Sequence, residues 1–142
     1  MYNLLYEQYP LPKLHLKGHI LQTITLRAGG QIACVGLSQK TLQAFNVTLS
    51  DLDGFSGLAG QIKGVKLSIF LVELPGKRVK VSLRSNGQIA VNGLAAHFGG
   101  GGHVPAAGAV INAGLAEATE VLVAEAAKLL PENQAAGAVS IK

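Results

Sequence analysis

Val65-Lys66-Leu67-Ser68-Ile69-Phe70-Leu71-Val72-Glu73-Leu74-Pro75-Gly76-Lys77-Arg78-Val79-Lys80-Val81-Ser82-Leu83-Arg84-Ser85 is one stretch governed by two different rules. From Val65 to Glu73 the residues are almost continuously apolar, as expected of an interior strand buried on both faces. Pro75-Gly76 then turns the chain. From Val79 to Ser85 the pattern has a period of two: Val79, Val81 and Leu83 face one way, and Lys80, Ser82 and Arg84 the other. The stretch therefore predicts a central strand followed by a strand with one buried and one polar face.

Upstream, Thr23–Arg27 and Gln31–Leu37 read as two more strands. Gly29-Gly30 between them supplies the positive φ of a tight hairpin turn. Ser38 is placed to cap a short helix running through Phe45. Ser50-Asp51-Leu52-Asp53 has the form of a capping box, with Asp51 and Asp53 read as capping residues. Phe55, Leu58, Ala59 and Ile62 follow at the spacing of one helix face, which Gly64 ends. Downstream, Asn92 is expected to cap a short helix that buries Leu94, Ala95 and Phe98. A run of small residues, 106–111, comes after the glycines at 99–102. Leu115, Ala118, Leu122, Ala126 and Leu129 then form the stripe of a last helix, closed by Pro131. The segment 14–21 is ambiguous between helix and strand.

Strands interleaved with helices predict an α/β class, with a mixed β-sheet of about five strands flanked by helices. The expected organisation is a linker or remnant of a preceding domain at 1–13, one domain over 14–131, and a flexible tail at 132–142. No internal repeat is present.

The chain has 142 residues, 49% of them hydrophobic and only 14% charged, which excludes a disordered chain. Lys and Arg number 12 against 8 Asp and Glu, a formal net charge of +4. The single cysteine, Cys34, excludes a disulfide framework and a cysteine zinc site. A lone buried thiol suits a reducing compartment, and the apolar runs are too short to span a bilayer, which needs about 18–20 residues. The chain does not open like a signal peptide, so the expected location is the cytoplasm, with no membrane partner.

Three features carry candidate chemistry. Gly99-Gly100-Gly101-Gly102 leaves backbone N–H groups unshielded by any Cβ, a composition suited to an anion-binding nest; the alternative is a flexible loop or a crowded backbone crossing. The run is neither a Walker loop, since no Gly-Lys-Ser/Thr follows, nor a dinucleotide fingerprint, since it leaves a helix instead of opening one. His103 follows directly and can donate to a phosphate oxygen or act as an acid near neutrality. His15, His19 and His97 read as surface or packing residues. Residues 63–84 hold Lys63, Lys66, Lys77, Arg78, Lys80 and Arg84 with Glu73 as their single acid. The planar fork of Arg84 suits phosphate, and a solvated sheet face is the alternative. The clustered Asp and His that metal-assisted hydrolysis requires are missing, as is a nucleophile elbow. The residues can grip phosphate and cannot activate water.

The spaced elements Val79–Gly87, Val91-Asn92 with Ala95, Phe98–His103 and Ala106-Ala107-Gly108 together resemble the DHHA1 domain, the C-terminal half of DHH-family phosphoesterases. The branch they are most similar to is the bifunctional oligoribonucleases that also act as PAP phosphatases. Gly54-Phe55, Ile62–Val65, Phe70 and Leu14–Leu21 fit the same branch, so the resemblance covers roughly residues 2–130. The cyclic-di-AMP phosphodiesterases share the GGGGH element but diverge after the paired alanines.

The resemblance implies a substrate-binding domain of an enzyme that hydrolyses short oligoribonucleotides or 3′,5′-bisphosphorylated nucleosides such as pAp. It implies that Arg84 and Ser85 contact substrate phosphate and that Gly99, Gly100, Gly101 and Gly102 place the strand end through backbone N–H groups. His103 would lie near the scissile phosphate. It implies no catalytic residue and no metal ligand in this chain apart from that contribution of His103. Manganese and hydrolysis belong to a DHH catalytic domain, on the same polypeptide or a partner. A homodimer is compatible with it. Val104-Pro105 and Ala90 depart from the family pattern and leave the preferred substrate open. A free-standing nucleotide- or RNA-binding module is the alternative function. The C-terminal domain of an alanyl-tRNA synthetase is a related reading, opposed by the RS-x-G strand and the intact GGGGH.

Overall fold

The computed structural model describes residues 9–52 and 54–130. Helix α1 spans Leu11–Thr23, strand β1 Thr25–Arg27, β2 Ile32–Leu37 and α2 Gln39–Ala44. Strands β3 (Leu67–Leu74) and β4 (Arg78–Ser85) follow, then α3 (Val91–His97), β5 (Gly101–Gly102), β6 (Ala106–Ile111) and α4 (Leu115–Ala127). The strands form one mixed sheet of six in the order β1-β2-β3-β4-β6-β5, one more than expected because two of the run glycines pair as an edge strand. The β2–β3 pair is parallel and the others are antiparallel.

The register explains how one sequence yields two cores. On one face of the sheet, Cys34, Ile69, Leu71, Val79, Val81 and Leu83 pack against α3 and α4 through Leu94, Ala118, Leu122 and Ala126. The α4 stripe expected from the sequence thus lies on the core. On the other face, Ala33, Val35, Phe70 and Val72 are covered by Leu16 and Ile20 of α1, Leu42 of α2, and Leu52, Phe55 and Ala59. Helices therefore lie on both faces, but the second layer stops at β3. Among the described residues, no helix lies over the face of β4 that carries Lys80, Ser82 and Arg84.

Several local expectations change. The helix expected around Phe55–Ile62 is instead two 3-10 turns, Leu49–Leu52 and Leu58–Gln61. Gly54, Gly57 and Gly60 interrupt that segment every three residues, and glycine is the least favourable ordinary residue in a helix interior. The apolar spacing still works: Phe55 and Ala59 are buried and Leu58 and Ile62 pack beside them. Asp51 closes its own turn by accepting from the Thr48 amide at 2.8 Å and the Thr48 hydroxyl at 3.0 Å, which holds its carboxyl below its usual value. Asp53 lies outside the described residues. Ala90, not Asn92, occupies the position before α3.

Helix α1 starts at Leu11, with Pro12 in its first turn where a missing amide costs no hydrogen bond. Residues 11–13, expected in a linker, are thus the first residues of this helix. Residues 1–8 and the expected tail at 132–142 lie outside the described residues. Ser38 does cap α2, accepting from the Thr41 amide at 3.1 Å. The β1–β2 hairpin turns through Gly29 and Gly30, with φ of 68° and 89°. Cys34 is buried, and burial pushes its thiol up to about 11. Among the described residues, no helix is long and apolar enough to cross a membrane.

Candidate functional site

The uncovered half of the sheet is the floor of a cleft of about 610 Å³, lined by β4, β6, Gly99, Gly100 and, as a side wall, Ser56. Strand pairing fixes what shares that floor. Ser68, Arg84 and Ala106 form one row, Phe70, Ser82 and Gly108 a second, and Val72, Lys80 and Val110 a third. Residues paired directly across antiparallel strands project to the same face. The alternation seen in the sequence therefore delivers two cations and a hydroxyl to one open surface. A smaller cavity of about 360 Å³ continues the cleft toward Leu49 and Leu52 and shares Ser56, Lys80, Ser82 and Arg84 with it.

The electrostatics follow from the same register. Among the described residues, no acid lines either cavity. Glu73 pairs with Val79 and so lies on the opposite face from Lys80, where it accepts from the Gln39 amide at 2.9 Å. Of the six basic residues between 63 and 84, Lys80 and Arg84 reach the cleft. Arg78 donates to the Pro75 carbonyl at 3.2 Å in the β3–β4 turn.

Arg84 is exposed and held by design of its surroundings. Its Nε donates to Ser56 Oγ at 3.0 Å. A Cβ on Gly57 would lie 3.5 Å from Arg84 Cδ, so the chain at 57 runs directly along the arginine stem. With Nε anchored, the two Nη groups have no hydrogen bond among the described residues. That leaves the flat outer edge of the fork for a phosphate or carboxylate. Ser56 was not foreseen from the sequence; a serine in a glycine-rich stretch gives no signal of its partner 28 residues away.

Ser85 differs from its neighbour. Its hydroxyl donates to the Ile89 carbonyl at 2.6 Å and accepts from the Gly87 amide at 3.2 Å. A serine hydroxyl has one proton, and here a carbonyl takes it. In this arrangement Ser85 shapes the turn after β4 and has no donor for a phosphate oxygen.

The glycine run is mostly a close crossing. The Gly99 and Gly100 amides donate to the Ala96 and Ala95 carbonyls at the end of α3. A Cβ on Gly100 would lie 2.0 Å from the Gly108 carbonyl oxygen and 2.7 Å from Ala109 Cα; on Gly102 it would lie 2.5 Å from Ala107 Cα. Gly101 has nothing within 4 Å of the same position. Two of the four amides of the run are thus spent on the helix end. His103 exchanges backbone hydrogen bonds with Ala106, at 2.8 and 3.3 Å, in the turn joining β5 to β6. This extends the row of Arg84 and Ala106 to His103, at the exposed rim beyond the cleft lining. His97 and His19 lie beside Phe98 and Phe45, and His15 is exposed.

The chain matches the DHHA1 domain over residues 29–132. It belongs to the DHHA1 domain family. The bifunctional oligoribonuclease and PAP phosphatase NrnA of Bacillus subtilis is 37% identical over 111 residues, 78% of this chain and 34% of that protein. Its namesake from Thermus thermophilus is 35% identical over 102 residues, 72% of this chain and 30% of that protein. An exopolyphosphatase-related protein from Bacteroides fragilis superposes with a TM-score of 0.80 at 31% identity, covering 89% of this chain and 37% of that one. PggH, a pGpG-specific phosphodiesterase from Vibrio, shares the fold, with a TM-score of 0.58 at 14% identity over 84% of this chain and 39% of its own. This DHHA1 chain thus spans about a third of the length of the curated relatives it matches.

Among its described residues, the donor set of this DHHA1 domain does not suit manganese. Among the described residues no three His, Cys, Asp or Glu side chains gather, and the cleft presents cations. A hard divalent cation is held by clustered carboxylate and other oxygen ligands, and the described lining of the cleft has no carboxylate.

Proposed function

We propose that this DHHA1 domain is the substrate-binding half of a cytoplasmic phosphoesterase acting on short oligoribonucleotides or 3′,5′-bisphosphorylated nucleosides such as pAp. Hydrolysis and manganese fall to a DHH domain, on the same polypeptide or as a partner. The observation that carries the reading is the basic cleft over β4, where Arg84 offers an anchored guanidinium beside Lys80. The names of the relatives give the substrate class.

The chain's own part is binding and orientation. Arg84 receives a phosphate through its two Nη groups, Lys80 adds a second charge along the strand, and the Gly100–Gly108 crossing lets the ligand approach the sheet edge without side chains in the way. His103 at the rim is a donor for a phosphate lying across the row of Arg84.

Calorimetric titration with pAp and with a diribonucleotide at several salt concentrations tests this. Binding should weaken as salt rises, since the contacts are charge-assisted. It should fall roughly ten- to hundredfold with Arg84→Ala, and no phosphate should be released with or without manganese. Salt-independent binding that survives Arg84→Ala would place the ligand elsewhere. Metal-dependent release of phosphate by the chain alone would refute the division of labour.

A further inference from the structure

A separate cavity of about 280 Å³ lies on the far side of Arg84, between the 57–61 turn and the ends of β3 and β4. Gly57, Gly60, Gln61, Val65, Ser68 and Asn86 line it, and Arg84 borders it as well as the cleft over β4. Among the described residues, Ser68 is the one buried polar or charged residue of the core, 1% exposed, and its Oγ has no hydrogen-bond partner there. Buried hydroxyls are ordinarily satisfied, and one left unpaired opposes folding. A Cβ on Gly60 would stand 3.8 Å from Ser68 Oγ, so this spot is kept open by the lack of a side chain, without any positive φ to require glycine.

We propose that this cavity is a base slot: it receives the heteroaromatic ring of the nucleotide whose phosphate Arg84 holds. The proposal rests on the phosphate-binding reading of the cleft. Size supports it, because cavities that enclose whole drug-sized ligands run from roughly 300 Å³ upward, so this one suits a ring system and not an entire nucleotide. Its chemistry fits a base too. Val65 gives an apolar wall. The Ser68 hydroxyl and the Gln61 amide can each donate or accept, and among the described residues the lining holds Lys66 and no carboxylate to repel the adjoining phosphate. The Asn86 oxygen is committed to the Gln88 amide at 3.0 Å, which leaves its amide nitrogen as a donor. The arginine between the two cavities can hold phosphate with its fork while its flat face lies against a ring.

Two variants test the slot, each titrated with pAp and with ribose 5-phosphate. Gly60→Val fills the opening, and Ser68→Ala removes the hydroxyl. For Gly60→Val the expected result is about tenfold weaker pAp binding with ribose 5-phosphate binding unchanged. For Ser68→Ala it is severalfold weaker pAp binding together with a higher melting temperature, because an unpaired hydroxyl has gone from the free protein. If Gly60→Val does not fold, Ser68→Ala decides alone. Unchanged pAp affinity in a folded variant, or equal losses for pAp and ribose 5-phosphate, overturns the slot while leaving the phosphate site standing. If the unaltered protein binds neither compound, the phosphate-binding reading fails first and takes the slot with it.

Discussion

Strand β4 and the glycine run 99–102 border the same cleft and serve it in opposite ways. The strand contributes through what its side chains offer: Lys80, Ser82 and Arg84 stand on the open face, and Arg84 is anchored by Ser56. The run contributes through what is missing. Gly100 and Gly102 lie so near β6 that any Cβ would strike backbone, and the first two amides cap the end of α3. A glycine run beside a basic strand can be a packing device that shapes a site without being its principal donor.

The strongest way to break this contrast is to compare adjacent glycines. Gly100→Ala puts a methyl 2.0 Å from the Gly108 carbonyl oxygen, with no flexible side chain to give way. It should destabilise the domain by at least about 3 kcal/mol in chemical denaturation. Gly101→Ala meets nothing within 4 Å and should stay within about 0.5 kcal/mol of the parent. Equal losses at both positions would show that the crossing is not what requires glycine. A Gly101→Ala protein that is stable but no longer binds nucleotide would show that the ligand approaches the backbone closely at this position.

Arg84→Ala is the next largest effect and belongs to binding alone. A hydrogen bond to a charged group contributes about 1.5–3 kcal/mol, so pAp affinity should fall roughly ten- to hundredfold. The apolar face of β4 remains packed, so the thermal midpoint should not move. Arg84→Lys should recover only part, since one ammonium cannot hold Ser56 and present a fork at once. A collapsed midpoint would make the arginine structural.

Ser56→Ala asks whether the anchor matters. It removes one neutral partner, worth about 1 kcal/mol, and should weaken pAp binding roughly fivefold, less than the loss of the guanidinium. Full affinity in this variant would mean that Arg84 finds its orientation without help.

The smallest effect lies outside the cleft. Arg27 at the end of β1 makes a two-pronged pair with Glu120 of α4, at 2.9 and 2.7 Å, and this hydrogen bonding holds the Glu120 carboxyl below its usual value. A carboxyl depressed in the folded state adds stability above its unfolded value and loses it as pH falls through its folded one. Melting curves should therefore separate the parent from Glu120→Gln slightly at pH 7 and converge in acid. The gap is small because the pair faces solvent. A gap that persists in acid would assign the contribution to packing.

Much of the fold was legible because it depends on short-range geometry. The pleat alone puts Lys80, Ser82 and Arg84 opposite Val79, Val81 and Leu83, and the pitch of a helix alone gathers Ala118, Leu122 and Ala126. Both patterns appear in the folded chain as read. Gly29-Gly30 and the Ser38 cap are equally local. The candidate cleft was half legible by the same means: its floor follows from alternation, and its glycine edge from composition.

What only the tertiary structure decided are the pairings between distant residues. Apolar spacing at Phe55, Leu58, Ala59 and Ile62 is satisfied by two tight turns as well as by a helix, and the glycines between them favour the turns. Ser56 meets Arg84 only because that segment folds back over β4. Ser85, next to Arg84 in sequence, spends its proton on Ile89. Glu73, the one acid among six cations, is turned to the other face by strand register. A residue's type and spacing fix the groups it can offer; which of them remain unspent is settled when the strands pair, because each hydrogen bond satisfied within the fold is one that no ligand receives.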